Sequence, residues 1–141
     1  MNTNEMLKAY PHEVETDVNL VARVVDALNE CAEACTACAD ACLAEVYIGD
    51  LRLCIRTDLD CADSSMALAR MLTRRLGFPG AVIMAHLQAT IVASSTCAVQ
   101  CEQHAEMHDH CRLCAEACRT AEAACRELLS AMESAAKVVP A

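Results

Sequence analysis

The stretch CAEACTACADAC, Cys31 to Cys42, decides how the whole chain reads. Its cysteines recur at steps of four, three and four, the spacing that sets successive side chains on one face of an α-helix. Upstream, Val14, Val18, Val21, Val24, Val25 and Leu28 keep the same period, so the cysteines inherit the apolar stripe that a helix turns toward a core. The rhythm returns at Cys54 and Cys61, at Cys97 and Cys101, and at Cys111, Cys114, Cys118 and Cys125. Breaks fall at Gly49, at Gly77-Phe78-Pro79-Gly80 and at His108-Asp109-His110, residues that end helices or turn the chain. The pattern predicts helices over approximately 11–47, 50–76, 81–107 and 109–136, after a short helical arm at 4–10. Pro11 suits a first helical position and Asp50 a cap. The expected fold is all-α: one domain, 1–141, forming an antiparallel up-down-up-down four-helix bundle.

Composition supports that class. Three Gly and three Pro in 141 residues are too few for the turns of a sandwich or barrel. The apolar share is unusual, with 27 Ala and 12 Cys against two Tyr, one Phe and no Trp. A formal charge of −9 repels phosphate backbones, and so few aromatics leave no stacking platform, so nucleic acid is not an expected partner. The acidic, polar N-terminus carries no export signature, and apolar runs such as 80–87 fall short of the roughly 20 residues of a membrane span. The expected location is the cytoplasm, with no membrane partner. Cysteines in a reducing compartment point to metal or thiol chemistry rather than to disulfides.

In an antiparallel bundle the links at Gly49 and Asp109 share one end. All twelve cysteines, Cys31, Cys35, Cys38, Cys42, Cys54, Cys61, Cys97, Cys101, Cys111, Cys114, Cys118 and Cys125, then gather toward that end. The other half reads as ordinary core, with Val21, Leu28, Leu68, Leu72, Leu87 and Leu128. Thiolates are soft ligands for Cu(I), Zn(II) or iron–sulfur clusters. Four-thiolate zinc sites would leave about two negative charges buried at each centre. Monovalent Cu(I) takes two or three sulfurs, so bridging thiolates can balance it near one to one. The Cys-x3-Cys pairs 31/35, 38/42, 97/101 and 114/118 each offer two sulfurs one turn apart. Zinc knuckles and ferredoxin runs wrap loops around one centre, and no such loop occurs here.

The chain resembles the bacterial cysteine-rich four-helix-bundle copper storage proteins, in their cytosolic branch. The resemblance rests on Cys31-x3-Cys35-x2-Cys38-x3-Cys42, Asp60-Cys61-Ala62-Asp63, Cys97-x3-Cys101-Glu102-x-His104 and His110-Cys111-x2-Cys114-Ala115-Glu116-Ala117-Cys118. It implies a homotetramer of bundles, each holding many Cu(I) ions admitted at one open end. The rhythm has gaps at Ser65, Ser94 and Ala121, which reduces the expected load to roughly ten ions on near one-to-one bridging.

His104 and His108 continue the Cys97/Cys101 face toward the Asp109 link and are the candidate nitrogen ligands at the mouth, with His110 beside them. Met107 is a candidate helper there, whereas Met66, Met71, Met84 and Met132 fill core gaps. The expected function is Cu(I) storage or buffering without turnover, with copper donor or acceptor proteins as further partners. The alternatives are an all-helical thiol oxidoreductase working through Cys35-x2-Cys38 or Cys111-x2-Cys114, or a zinc or iron–sulfur protein.

Overall fold

The computed structural model describes residues 1–138. Its elements are α1 (Thr3–Lys8), α2 (Val18–Leu43), a 3-10 turn (Ile48–Leu51), α3 (Arg52–Thr73), α4 (Ala81–Glu102) and α5 (Asp109–Val138). Helix α2 packs on α3 and α5, and α4 closes the ring by packing on the same two helices. No strand occurs among the described residues.

Each helix boundary has a local cause. The Asn2 side chain caps α1 by accepting from the Glu5 amide at 3.1 Å. Leu7 buries its side chain, while Thr3 donates to Asp26 at 2.7 Å and Asn4 to Asn19 at 2.6 Å, laying the arm along α2. The first bundle helix therefore starts later than Pro11. The chain must reverse after α1, and residues 9–17 make that reversal. Asp17 then supplies the cap, accepting from the Asn19 amide at 2.9 Å. At the other end α2 stops at Leu43 rather than near 47, and Asp50 lies inside the 3-10 turn instead of capping α3. Leu51 explains the turn: its fully buried side chain tightens the link into the bundle. Gly77, at φ +70°, takes the left-handed conformation in the α3–α4 link. Helix α4 ends at Glu102, short of the expected 107, and residues 103–108 form the turn that carries His104 and His108 to the bundle end, with His110 in the first turn of α5.

Side-chain pairing fixes the register. Cys31 lies opposite Cys61 at 3.6 Å, whereas Cys42 groups with Cys54, so numbering rises along α2 while it falls along α3. Cys31 meets Cys118 at 3.8 Å and Cys38 meets Cys111 at 4.0 Å, the same opposition between α2 and α5.

The core has two halves. Val21, Val24, Leu28, Leu68, Leu72, Leu87 and Leu128 are fully buried in one, each worth about 1.5–3 kcal/mol of apolar transfer. Cysteines fill the other. Between them Ser65, Ser94, Ala121 and Thr90 form a fully buried belt, with the Ser94 hydroxyl donating back to the Thr90 carbonyl at 2.8 Å and Thr90 joined to Ser64 at 2.8 Å. The three gaps in the cysteine rhythm thus share the inward face, as their period requires.

Helix α4, 22 residues long, is long and apolar enough to cross a membrane, although no single run of strongly apolar residues suggested it. Uncharged Ala, Thr, Ser and Gln separate its apolar residues without placing an acidic or basic side chain among them before Glu102. Leu87, Ile91, Ser94, Cys97 and Cys101 nevertheless turn into the bundle.

Candidate metal centre

All twelve cysteines are free and buried. Their sulfurs touch across helices: Cys35 to Cys118 at 3.5 Å, Cys54 to Cys101 at 3.5 Å, and Cys35 to Cys114 at 3.7 Å. Along one helix, Cys31 and Cys35 lie 3.9 Å apart and Cys97 and Cys101 4.0 Å apart, the one-turn geometry of the Cys-x3-Cys pairs. Cys35 is the hub, in range of Cys31, Cys97, Cys114 and Cys118.

These contacts form overlapping sets of potential ligand atoms, each set within 4.8 Å throughout. One set is Cys31, Cys35, Cys61 and Cys118; a second is Cys35, Cys97, Cys114 and Cys118; a third is Cys38, Cys42, Cys54 and Cys111. Two more include Asp58: with Cys38, Cys54 and Cys101, and with Cys97, Cys101 and Cys114. Shared members chain the sets together, so an ion bridging one set neighbours the next. Cys125 stands apart beyond Cys31, next to the belt, and burial pushes its thiol up to about 12.

Asp58 is the residue that sequence reasoning missed. It is 0% exposed, and its Oδ1 lies 3.0 Å from the Cys97 sulfur, 3.3 Å from Cys114 and 3.4 Å from Cys101. Burial, then the charge on Cys114 and the hydrogen bond to Cys97, push its carboxyl up to about 11, so it is protonated at neutral pH. The available signal was its position: Asp58 falls between Cys54 and Cys61 on the inward stripe of α3, where an acid has no business unless it is paired or neutral.

The thiols divide their protons unequally. Cys31 is held well below the usual thiol range, chiefly by its hydrogen bond with Cys118, and Cys38 and Cys97 chiefly by theirs with Cys101. Cys35, Cys101 and Cys118 are raised, each first through its hydrogen bond with Cys114. A few thiolates, solvated by neighbouring S–H groups, are the arrangement a dry sulfur cluster favours.

The histidines sort differently from their sequence order. His110, not His104 or His108, reaches the sulfurs: its Nδ1 lies 3.4 Å from Cys38, 3.6 Å from Cys111 and 4.0 Å from Cys42. Its Nε2 faces Glu45 at 3.0 Å. Burial works against the imidazolium, but Cys38 and Glu45 outweigh it and raise the His110 pKa; Glu45 is lowered in turn, first by His110. His108 Nδ1 pairs with the same Glu45 at 3.2 Å and stacks on His110 with ring centroids 5.3 Å apart. His104 lines a vestibule of about 540 Å³ with Glu45, Tyr47, Gln103, Met107 and His108. The period that carried the Cys97/Cys101 face onward to His104 and His108 ends with α4 at Glu102; the turn that follows sends His108 to Glu45 and frees His110 to point inward.

A second opening of about 450 Å³ lies between α2 and α5 and reaches Cys38, Cys114 and His110. A thiol oxidoreductase needs an accessible attacking sulfur, and both Cys-x2-Cys pairs are buried. The donor set instead suits a soft, monovalent ion held by bridging sulfurs.

Comparison with known proteins agrees with that chemistry. The sequence profile described as Csp, copper storage protein, matches residues 17–130. The copper storage protein Ccsp from Streptomyces lividans, solved loaded with 10 copper equivalents, is 48% identical with a TM-score of 0.89, over 91% of this chain and 98% of that one. The Cu(I)-bound copper storage protein BsCsp3 is 28% identical with a TM-score of 0.66, over 75% and 94% respectively. An uncharacterized cysteine-rich protein of Bacillus subtilis strain 168, YhjQ, is 35% identical over 105 residues, 74% of this chain and 91% of that protein. With a profile match spanning all four bundle helices and all twelve cysteines, the chain belongs to the copper storage protein family.

Proposed function

We propose that this protein stores Cu(I) along its sulfur-lined half, with the twelve cysteines as the principal ligands and Asp58 and His110 as the accompanying oxygen and nitrogen donors. The observation that carries the reading is the chain of overlapping four-atom sets, in which eleven thiols and one neutral carboxyl share a buried interior. An ion that binds a thiolate neutralises it, and one that binds a protonated thiol displaces its proton, so Cys–SH and Cu(I) give Cys–S–Cu and one proton. Charge in the interior is unchanged by that exchange, whereas zinc in four-thiolate sites would add negative charge that nothing nearby neutralises.

The protein works in the cytosol as a store without turnover, as one bundle per chain, and the bundles associate as a homotetramer. Support for the location is the resemblance to a Streptomyces lividans protein described as a cytosolic copper storage protein. Support for association is the outer face of α4, which exposes Val82, Val92 and Val99. Glu45 and Asp50 at the vestibule, with the histidines paired to Glu45, suit exchange with a copper-carrying protein. His104 and His108 serve the vestibule as transient hosts to an arriving ion, and His110 serves as the first fixed ligand within.

Anaerobic titration of the fully reduced protein with Cu(I), under a competing chelator, tests the reading. Uptake of roughly ten equivalents, with loss of thiol reactivity in parallel, is expected. Saturation at one or two equivalents with the other thiols still reactive would rule storage out.

A further inference from the structure

At the end of the bundle opposite the thiols, the reversal between α1 and α2 arches over a cleft of about 500 Å³, whose wall includes Lys8, Tyr10, His12, Glu13, Glu15 and Arg75. Arg75 lies just past the Arg74 cap of α3 and is only 5% exposed. Its guanidinium carbon stacks 4.3 Å above the Phe78 ring, which closes one face. Nη1 is buried and has no hydrogen-bond partner, and no carboxylate among the described residues lies in ion-pair range of this side chain.

A buried cation without a counter-ion is costly, and proteins rarely leave one uncompensated. The cost is visible in the guanidinium itself, whose pKa burial lowers and Tyr10 only partly restores. A guanidinium is a planar fork matched to two oxygens of a carboxylate or phosphate. Here Arg75, whose side chain makes no hydrogen bond in the structure, lines a polar cleft together with Lys8, His12, Glu13 and Glu15.

We propose that this cleft is a binding site for a small free oxyanion, phosphate or carboxylate, with the Arg75 guanidinium as the anchoring group. The anion supplies the counter-charge that the guanidinium lacks and ties the α1 arm to the start of α2. It lies about 20 Å from Cys31, where the connected sulfurs begin, taking 1.5 Å per residue along α2 from Val18, so its occupancy and copper loading are separable.

The single Phe and two Tyr of the chain make the test direct. Reduced, copper-free protein is titrated with sodium orthophosphate and, separately, sodium acetate, against sodium chloride at matched ionic strength, while NMR follows the Phe78 and Tyr10 rings and the Arg75 Nε–H. Saturable shifts with one or both oxyanions and none with chloride are expected, and the probe that saturates at lower concentration names the anion. Arg75→Met should weaken binding at least tenfold, Arg75→Lys severalfold, and both should leave Cu(I) capacity unchanged. Absence of a saturable shift in the unaltered protein overturns the proposal whatever the variants do, and so does undiminished binding in Arg75→Met. Binding that appears only in Glu13→Gln/Glu15→Gln overturns it too, because one of those carboxylates would then be the natural occupant.

Discussion

Replacing Asp58 by Asn should make the copper-free protein more stable at neutral pH, although the change removes a fully buried polar group from the centre of the site. The folded carboxyl titrates at about 11 against 3.8 in the ordinary state. Between those values the folded chain holds a proton that the unfolded chain has released. The sign follows: this group's contribution is neutral below 3.8 and becomes more unfavourable as the pH rises. At pH 7 the gap is about 3 pH units, which at 1.36 kcal/mol per unit costs about 4 kcal/mol. Asparagine needs no such proton but is itself imperfectly paired among sulfurs, a loss of about 1–3 kcal/mol. The net expected gain is about 1–3 kcal/mol at pH 7, shrinking to nothing or reversing near pH 4. Urea denaturation of both reduced apoproteins from pH 4 to pH 8 measures it, and the difference between the two cancels the cysteines' own titration to first order. If the Asn variant is no more stable at pH 7 and its stability keeps the same slope with pH as the unaltered protein, Asp58 is not a neutral acid and the reasoning fails.

Two further outcomes follow from the sulfur geometry. Cys35→Ser removes the hub sulfur, which touches four others, and should lower Cu(I) uptake by about two equivalents or more where thiolates bridge ions near one to one; Cys125→Ser, beyond the contact network, should cost at most about one, and equal losses in the two titrations would show that the sulfurs are not chained. His110→Ala should remove about one equivalent and slow the earliest phase of stopped-flow uptake, by loss of the nitrogen 3.4 Å from Cys38, while His104→Ala should keep the full load; the reverse result would return the ligand role to the vestibule.

The helical class and the shared face of the cysteines were legible because period is a property of sequence: steps of three and four leave little freedom once the residues are apolar. The gaps at Ser65, Ser94 and Ala121 were legible for the same reason, and all three are buried where the rhythm put them. What period cannot show is where a helix gives way. Pro11 is compatible with a helix start, but the α1 arm has to fold back before α2 can begin, and that demand comes from packing Leu7 rather than from local preference. The histidines show the limit most clearly. Extrapolating α4 by two turns pointed to His104 and His108, yet the helix ends at Glu102 and the turn changes every direction after it. Asp58 was hidden by type: a carboxylate reads as surface, and only its surroundings reveal a neutral acid among thiols.

The buried belt of Ser65, Thr90, Ser94 and Ala121 separates two materials within one bundle. On its far side the leucines and valines hold the helices together whatever the cysteines carry. A zinc finger collapses into shape only when its ion arrives; this chain has a permanent keel, so it can be emptied without coming apart. Successive cycles of filling and discharge then act on a receptacle that already exists.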